Sequence, residues 1–331
     1  MSLESYLDKF GRLIVNMRDG RASPHKPCML LALLDLARAG ALTENRVVYG
    51  PLLLERYRSF FDAARGPGDH PNPYFPYFHL AGKLRGGGAS FWHLDPLPGR
   101  EPILATMHSA TSAADITSNV AFAWLDPELH QLLQNPAAVN ALEAALVSRW
   151  FDREVTDLRA VVERSSQISR YEHGLRVGQI AAELPAPAYV RNPAFRRVVA
   201  QSYDYRCAAT GVRILLPTGE AMVEAAHIHP FSESGDDDPR NGIALTPNMH
   251  WAFDHNLIAP SPDFCWRVSD QLDARIPDYR ELRDLDGKRL FLPSEPRLYP
   301  KREVLDWRLA RLRESGWTPT AQQLFDEGSG P

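Results

Sequence analysis

EAAHIHPFSESGDDDPRNGIALTPNMHWAFDHNLI, residues 224–258, holds four of the eleven histidines of a 331-residue chain, with an asparagine and several carboxylates among them. VEAAHI reads as a short β run, RNG as a turn, and the segment from Pro247 as the start of a helix. Histidine on a strand, asparagine in a loop and histidine on the next helix is the order of a ββα unit wrapped around one metal ion. Asp254 follows His250 by one helical turn, so both side chains can face the same point. An imidazole, with an ordinary pKa of about 6.5, can take a proton from water near neutral pH, and a histidine with a carboxylate can hold a divalent cation.

Residues 190–300 resemble an HNH endonuclease domain. The matching words are CAATG, EAAHIHP, PRNGIAL and HWAFD, with a family-like tail at GKRLFLP. His227 matches the first histidine, Asn241 the asparagine fourteen residues on, and His250 the last histidine nine residues further. The resemblance implies that His227 is the general base, that Asn241 holds its ring in orientation, and that His250 with Asp254 binds a divalent metal ion, Mg²⁺ or Mn²⁺. One departure is Ala226, where many members place a metal ligand just before the base. Phosphate oxygens and water then fill the metal's shell, or Glu224 or Asp254 compensates. A second departure concerns the Cys₄ zinc site that many such domains add. Only Cys207 is kept, and its expected partners are Thr210, Thr246 and Met249, so no structural zinc is expected. His229 and His255 are expected to have plain surface roles.

Bulk properties allow this reading without selecting it. A chain of this length, 44% apolar, can bury a sizeable core and has room for two domains. No run of eighteen apolar residues occurs, and the start MSLESYLDKFGRLIVNMRDG is an amphipathic, charged pattern rather than a signal peptide. Cys28, Cys207 and Cys265 are odd in number and fit free thiols in a cytoplasmic protein. The net charge of −4 argues against indiscriminate coating of nucleic acid. Residues 1–100 nevertheless hold 13 Lys+Arg against 9 Asp+Glu, whereas residues 101–190 hold 6 against 11. A DNA partner must therefore be gripped by local patches.

The chain reads as α+β, with a mixed helix and strand DNA-reading domain before the ββα-metal nuclease domain. SPHKPCMLLALLDLARAG is a helix with Ser23 as candidate cap, NRVVYG a short strand, and PLLLERYRSFFDAA a helix started by Pro51. RGPGDHPNPYFPYFHLAG is turn-rich and ASFWHL a strand. ELHQLLQNPAAVNALEAALVSRWF is a helical pair broken near Asn135-Pro136. Three prolines in ELPAPAYVRNPAF mark a linker. The expected domains are 1–165 for reading, 166–190 as linker, and 191–331 as nuclease with a C-terminal helical tail.

RASPHKPCMLLALL and PYFPYFHL resemble the sulfur-binding domain found beside HNH domains in phosphorothioate-dependent restriction endonucleases. The resemblance implies an apolar cup for a non-bridging sulfur, which is larger and less strongly hydrated than oxygen. Phe75 and Pro76 match its aromatic-proline pair, and His79 stands where the family has a small residue. His25-Lys26 matches the histidine-plus-cation step before a helix, with Arg18 and Arg21 upstream to contact the remaining phosphate oxygens. The expected partner is double-stranded, phosphorothioate-modified DNA, cut by a homodimer because a one-metal core cuts one strand. Two alternatives stay open. In one, Tyr74, Phe75, Tyr77 and Phe78 cage a methylated base. In the other, the ββα unit is a non-catalytic groove reader.

Overall fold

A computed structural model describes residues 2–18, 20–151, 156–178 and 186–314 of the chain. These fall into two compact units, Met1–His173 with Leu216–Glu220, and Gly174–Leu215 with Ala221–Pro331.

The first unit is built around one apolar helix. Its elements are α1 (Leu3–Gly11), β1 (Met17–Arg18), β2 (Arg21–Ala22), α2 (His25–Arg38), α3 (Pro51–Ala64), α4 (Tyr74–His79), β3 (Trp92–Pro96), α5 (Glu101–Thr106), α6 (Ala113–Thr117), β4 (Val120–Leu125), α7 (Pro127–Leu132), α8 (Pro136–Trp150) and α9 (Thr156–Arg176). Every side chain from Pro27 to Leu36 is buried, so α2 is enclosed on all sides, as a helix without a polar face must be. Tyr6 and Phe10 of α1, Tyr57, Phe60 and Phe61 of α3, and Leu142 and Leu146 of α8 share its core. Each such side chain contributes about 1.5–3 kcal/mol by leaving water. Arg56 of α3 is fully buried between Asp35 at 2.9 Å and Glu172 at 2.5 Å. A guanidinium there is tolerable only because both carboxylates face it.

Several sequence expectations change in detail. The turn-rich PYFPYFH segment contains α4, because Pro73 can precede a helix and the aromatic residues find core to cover. NRVVYG is no strand; only Val47 bridges to Ala123 of β4, beside the antiparallel β3–β4 pair. Ser23 does not cap α2, whose preceding residue is Pro24; its hydroxyl meets His25 Nδ1 at 2.8 Å instead. The break at Asn135-Pro136 does separate α7 from α8, with Asn135 Oδ1 accepting from the Ala137 amide. Residues 166–176 of the expected linker are helical, since Tyr171, Glu172 and Leu175 of α9 are buried. Residues 188–190 of that stretch also belong to a helix, Ala188–Ser202, and 179–185 lie outside the described residues.

The second unit comprises α10 (Ala188–Ser202), β5 (Glu224–His227), α11 (Phe231–Ser234), β6 (Gly242–Leu245), α12 (Pro247–Asp254), β7 (Ile258–Pro260), β8 (Trp266–Val268), α13 (Arg280–Arg283) and α14 (Arg302–Glu314). β5 and β6 pair antiparallel with Ala226 opposite Ile243 and His227 opposite Gly242. α10 lies so close to this pair that a Cβ on Gly242 would meet Val199 at 2.4 Å and Phe195 at 2.9 Å. That contact explains the Asn-Gly step ahead of the strand. Leu309 and Leu312 of α14 pack with Ala259 of β7; the tail beyond Glu314 lies outside the described residues. Among the described residues no helix is long and apolar enough to cross a membrane.

Candidate active site

The β5–β6 hairpin and α12 form the expected ββα unit, and each of its four histidines has a distinct setting. His227, at the end of β5, lies flat on Phe195 of α10, with ring centroids 3.8 Å apart and planes 4° from parallel. Its Nε2 is 2.8 Å from Asp237 Oδ1. A carboxylate only accepts, so Nε2 carries the proton and Nδ1 is the nitrogen with a lone pair. Asp237 is 1% exposed and receives Arg191 Nη1 of α10 at 2.8 Å on its other oxygen. Arg191 in turn sits 3.5 Å above the Phe231 ring. The imidazole is thus gripped by an aromatic face on one side and a buried ion pair at its edge, while remaining 20% exposed.

Asn241 is adjacent in chain but has a different task from the one expected. Its side chain is fully buried. Oδ1 accepts from the His229 amide at 2.9 Å, and Nδ2 donates to the His229 and Asp236 carbonyls, each at 2.9 Å. It therefore ties the chain after β5 to the acidic loop, and the group that holds the His227 ring is Asp237. The physical reason is reach: Asn241 ends the turn just before β6, beside the chain leaving β5, where backbone polar groups need partners.

The acidic loop is equally well tied. Asp238 Oδ1 caps the turn Pro239–Asn241 by accepting from the Arg240 amide, and both its oxygens meet the Arg240 guanidinium. Lys301 Nζ bridges Asp236 and Asp238 at 2.9 Å each. Burial works to raise the Asp238 carboxyl, but the hydrogen bonds from Arg240 and Lys301 overcome it and hold it at about 2.

His250 of α12 faces two carboxylates. Its Nδ1 is 2.7 Å from Glu224 Oε2 on β5, and its Nε2 is 3.5 Å from Asp254 Oδ2. Donation from Nδ1–H to Glu224, the usual outer partner of a metal-binding histidine, leaves the Nε2 lone pair beside the Asp254 carboxyl. Glu224 and Ala226 share one face of β5, but the Glu224 carboxylate is engaged with the His250 ring. The donor set fits a hard divalent cation, although it is thin: among the described residues, no group of three or more His, Cys, Asp or Glu side chains is arranged around one point. Water and phosphate oxygens would complete the shell.

The other two histidines stack on tryptophans, His229 on Trp307 at 4.0 Å and His255 on Trp251 at 4.1 Å. The zinc positions are filled differently too. Cys207 is buried with Thr246 Oγ1 3.6 Å from its sulfur, and Met249 is packed in the core.

In the first unit, His25, Lys26, Phe75 and His79 converge on one pocket of about 250 Å³ whose walls include Ile14 and Val15. Phe75 and His79 lie one turn apart on α4 with rings 4.3 Å apart. Pro76 is a correction. It lies about 100° round the helix from Phe75 and is buried against the core rather than lining the pocket. Burial lowers the Lys26 pKa and, with Lys26 beside it, that of His79. Burial also lowers His25, against the His70 carbonyl and Asp69. Arg21 points elsewhere, donating to the Ala64 carbonyl, and the Arg18 side chain lies outside the described residues. Tyr77 is buried with its hydroxyl on the Val47 carbonyl, and Phe78 lines a separate apolar pocket with Leu94 and Met107.

Asp237 and Arg191 were not singled out by sequence reasoning. DDDPRN displays three acids in a row, and nothing in their order says which one reaches the histidine.

Residues 207–259 match the HNH endonuclease family. Among solved structures, the chain is similar to a "Modification dependent TagI restriction endonuclease" at 21% identity, over 38% of this chain and 39% of that one, with a TM-score of 0.30. It thus spans about two fifths of that protein's length. No curated protein matches the chain. The family match covers the ββα unit and shows an HNH endonuclease domain there.

Proposed function

We propose that the protein is a restriction endonuclease that recognises phosphorothioate-modified DNA through its first unit and hydrolyses the backbone at His227. The observation that carries the modification reading is the convergence of Lys26 with His25, Phe75 and His79 on one pocket. Two imidazoles kept neutral by burial, a phenyl ring and two aliphatic side chains surround a single ammonium. Such a cup favours an anion whose outer atom is large and weakly hydrated, as sulfur is and oxygen is not. A methylated base would need the four aromatic residues in one cage, and Tyr77 and Phe78 are turned away from it.

At the nuclease site, His227 Nδ1 takes the proton of the attacking water. Asp237 holds the ring through Nε2–H and stabilises the imidazolium that forms, while Arg191 pairs with the other oxygen of Asp237. His250 Nε2 and Asp254 would hold the divalent cation, Mg²⁺ or Mn²⁺, with Glu224 orienting the His250 ring. When bound, the cation supplies positive charge to the phosphate and the leaving oxygen. Two protomers would cut the two strands, in the cytoplasm where foreign DNA arrives.

The test is to incubate matched plasmids with and without phosphorothioate, in Mg²⁺ or Mn²⁺. Cleavage confined to modified plasmid is expected, and His250→Ala should move the metal titration to higher concentration. Equal cleavage of both plasmids would overturn the sulfur reading. Monomers in light scattering, both free and on DNA, would overturn the dimer.

A further inference from the structure

We propose that a second pocket of the first unit binds a neighbouring phosphate of the DNA backbone, with Arg21, Arg85 and Arg149 as its cations. The proposal rests on the reading that this unit binds modified DNA. The chain from Ile14 to Lys26, which carries β1 and β2, contributes residues to two pockets of the same size. Ile14, Val15, Ser23, His25 and Lys26 line the sulfur cup. Met17, Gly20, Arg21, Ala22 and Pro24 line the other, also about 250 Å³, which is closed by Arg85, Arg149 and Trp150. The described residues lining this second pocket include three arginines and no acidic residue. A pocket of that composition selects an anion, and planar guanidinium forks suit phosphate oxygens.

Each arginine is held in place by backbone. Arg21 donates to the Ala64 carbonyl. Arg149 Nε donates to the Gly11 carbonyl at 3.4 Å, and its guanidinium lies 4.9 Å from the Trp150 ring centre. Arg85 sits in LRGGG, a loop fastened to Arg12 at three points. The Arg85 amide donates to the Arg12 carbonyl at 2.8 Å. The Arg12 guanidinium donates to the carbonyls of Arg85 at 2.9 Å and Gly87 at 2.6 Å. Gly86, Gly87 and Gly88 have φ of 79°, 87° and 106°, which only glycine adopts without strain. The loop therefore bends back on α1 with Arg85 at its base. For Arg21 and Arg149 the side chain itself is tied, and for Arg85 the backbone that carries it, so less freedom is lost when a phosphate arrives.

The location matters as much as the charge. A hairpin with a sulfur cup on one side and an arginine pocket on the other can straddle a strand, taking the modified phosphate in one and a nearby phosphate in the other. Lys26 alone is a weak hold on a polyanion. The second pocket supplies affinity that is independent of the modification, leaving the cup free to supply selectivity.

The experiment couples one neutralised phosphate to the arginines. Duplexes with the phosphorothioate at a fixed position carry a single methylphosphonate, which is uncharged, stepped along either flank. Wild type, Arg85→Gln, Arg149→Gln and the double variant are titrated against each duplex across a salt series. The double variant should bind modified and unmodified DNA about tenfold more weakly, with its preference unchanged. Its salt slope should fall by about one phosphate contact. One methylphosphonate position should weaken wild type yet leave the double variant unaffected. Equal sensitivity of wild type and variant at every position, or an unaltered salt slope in a variant with wild-type circular dichroism, would overturn the proposal. Should a glutamine variant lose its fold, Arg85→Lys and Arg149→Lys replace it; they keep the charge but lose the fork, so an unchanged affinity at the coupled position would overturn it as well. A wild type that binds both duplexes equally while keeping the arginine coupling would overturn the sulfur reading and leave this pocket standing.

Discussion

The His227 imidazole works only if its free nitrogen points at water, and that orientation is set by Phe195 and Asp237 together. His227→Ala should remove cleavage while leaving binding of modified DNA intact, and retention of more than a few per cent of wild-type cutting would exclude it as the base. Asp237→Asn should be milder, lowering kcat about tenfold or more with KM for DNA little changed, since it positions the base rather than touching the phosphate. An equal rise in KM would point to general damage instead. Asn241 belongs to a different class of effect. Removing its amide leaves the His229 amide and two carbonyls without their partners in a buried place. Asn241→Ala should therefore cost about 1–3 kcal/mol in denaturant unfolding, and its loss of activity should follow the loosening of the chain after β5. A variant as stable as wild type would refute that role.

At the scale of elements, the acidic loop between β5 and β6 is a folded device rather than a solvated charge run. Asp236, Asp237 and Asp238 each reach a cation of another segment, and their mutual repulsion is cancelled by Arg191, Arg240 and Lys301. Because the folded Asp238 carboxyl lies at about 2, below its ordinary value of 3.8, its contribution is fully present above about pH 4. It is lost as pH falls through about 2. The shift corresponds to about 2 kcal/mol at neutral pH. Asp238→Asn should lower stability at neutral pH by that order and flatten the dependence between pH 4 and 2. Chemical denaturation of the two proteins across that range is the check, and parallel curves would show that Asp238 carries none of it.

For the whole molecule, the proposed reading pocket and the proposed cutting site lie on different units of the chain, so they should respond separately to substitution. Phe75→Asp introduces a carboxylate into the cup and should abolish the preference for modified DNA, because the charge repels phosphate and draws water in. Lys26→Ala should weaken binding to modified and unmodified duplexes by similar factors and reduce the salt slope by about one contact. Binding to matched duplexes across a salt series distinguishes the two. A folded Phe75→Asp protein that keeps its full preference would mean the cup lies elsewhere. Neither variant should alter the metal titration of the nuclease unit.

What the sequence determined by itself was the local chemistry: the strand, turn and helix of the ββα unit and the H, N, H order within it. His25, Lys26, Phe75 and His79, by contrast, were named by the resemblance of short words and meet only in the folded unit. Residues one helical turn or one strand step apart have their relation set by backbone geometry, which is why His250 with Asp254 and Phe75 with His79 were legible. The tertiary structure decided which group orients the base. Asp236, Asp237 and Asp238 are chemically identical in a sequence, and the bend of the loop against α10 alone brings Asp237 to His227 and Arg191. It also withdrew Pro76 into the core and gave Arg21 to a second pocket with Arg85 and Arg149. Those three arginines are far apart in the chain, and long-range packing is the only thing that brings them together.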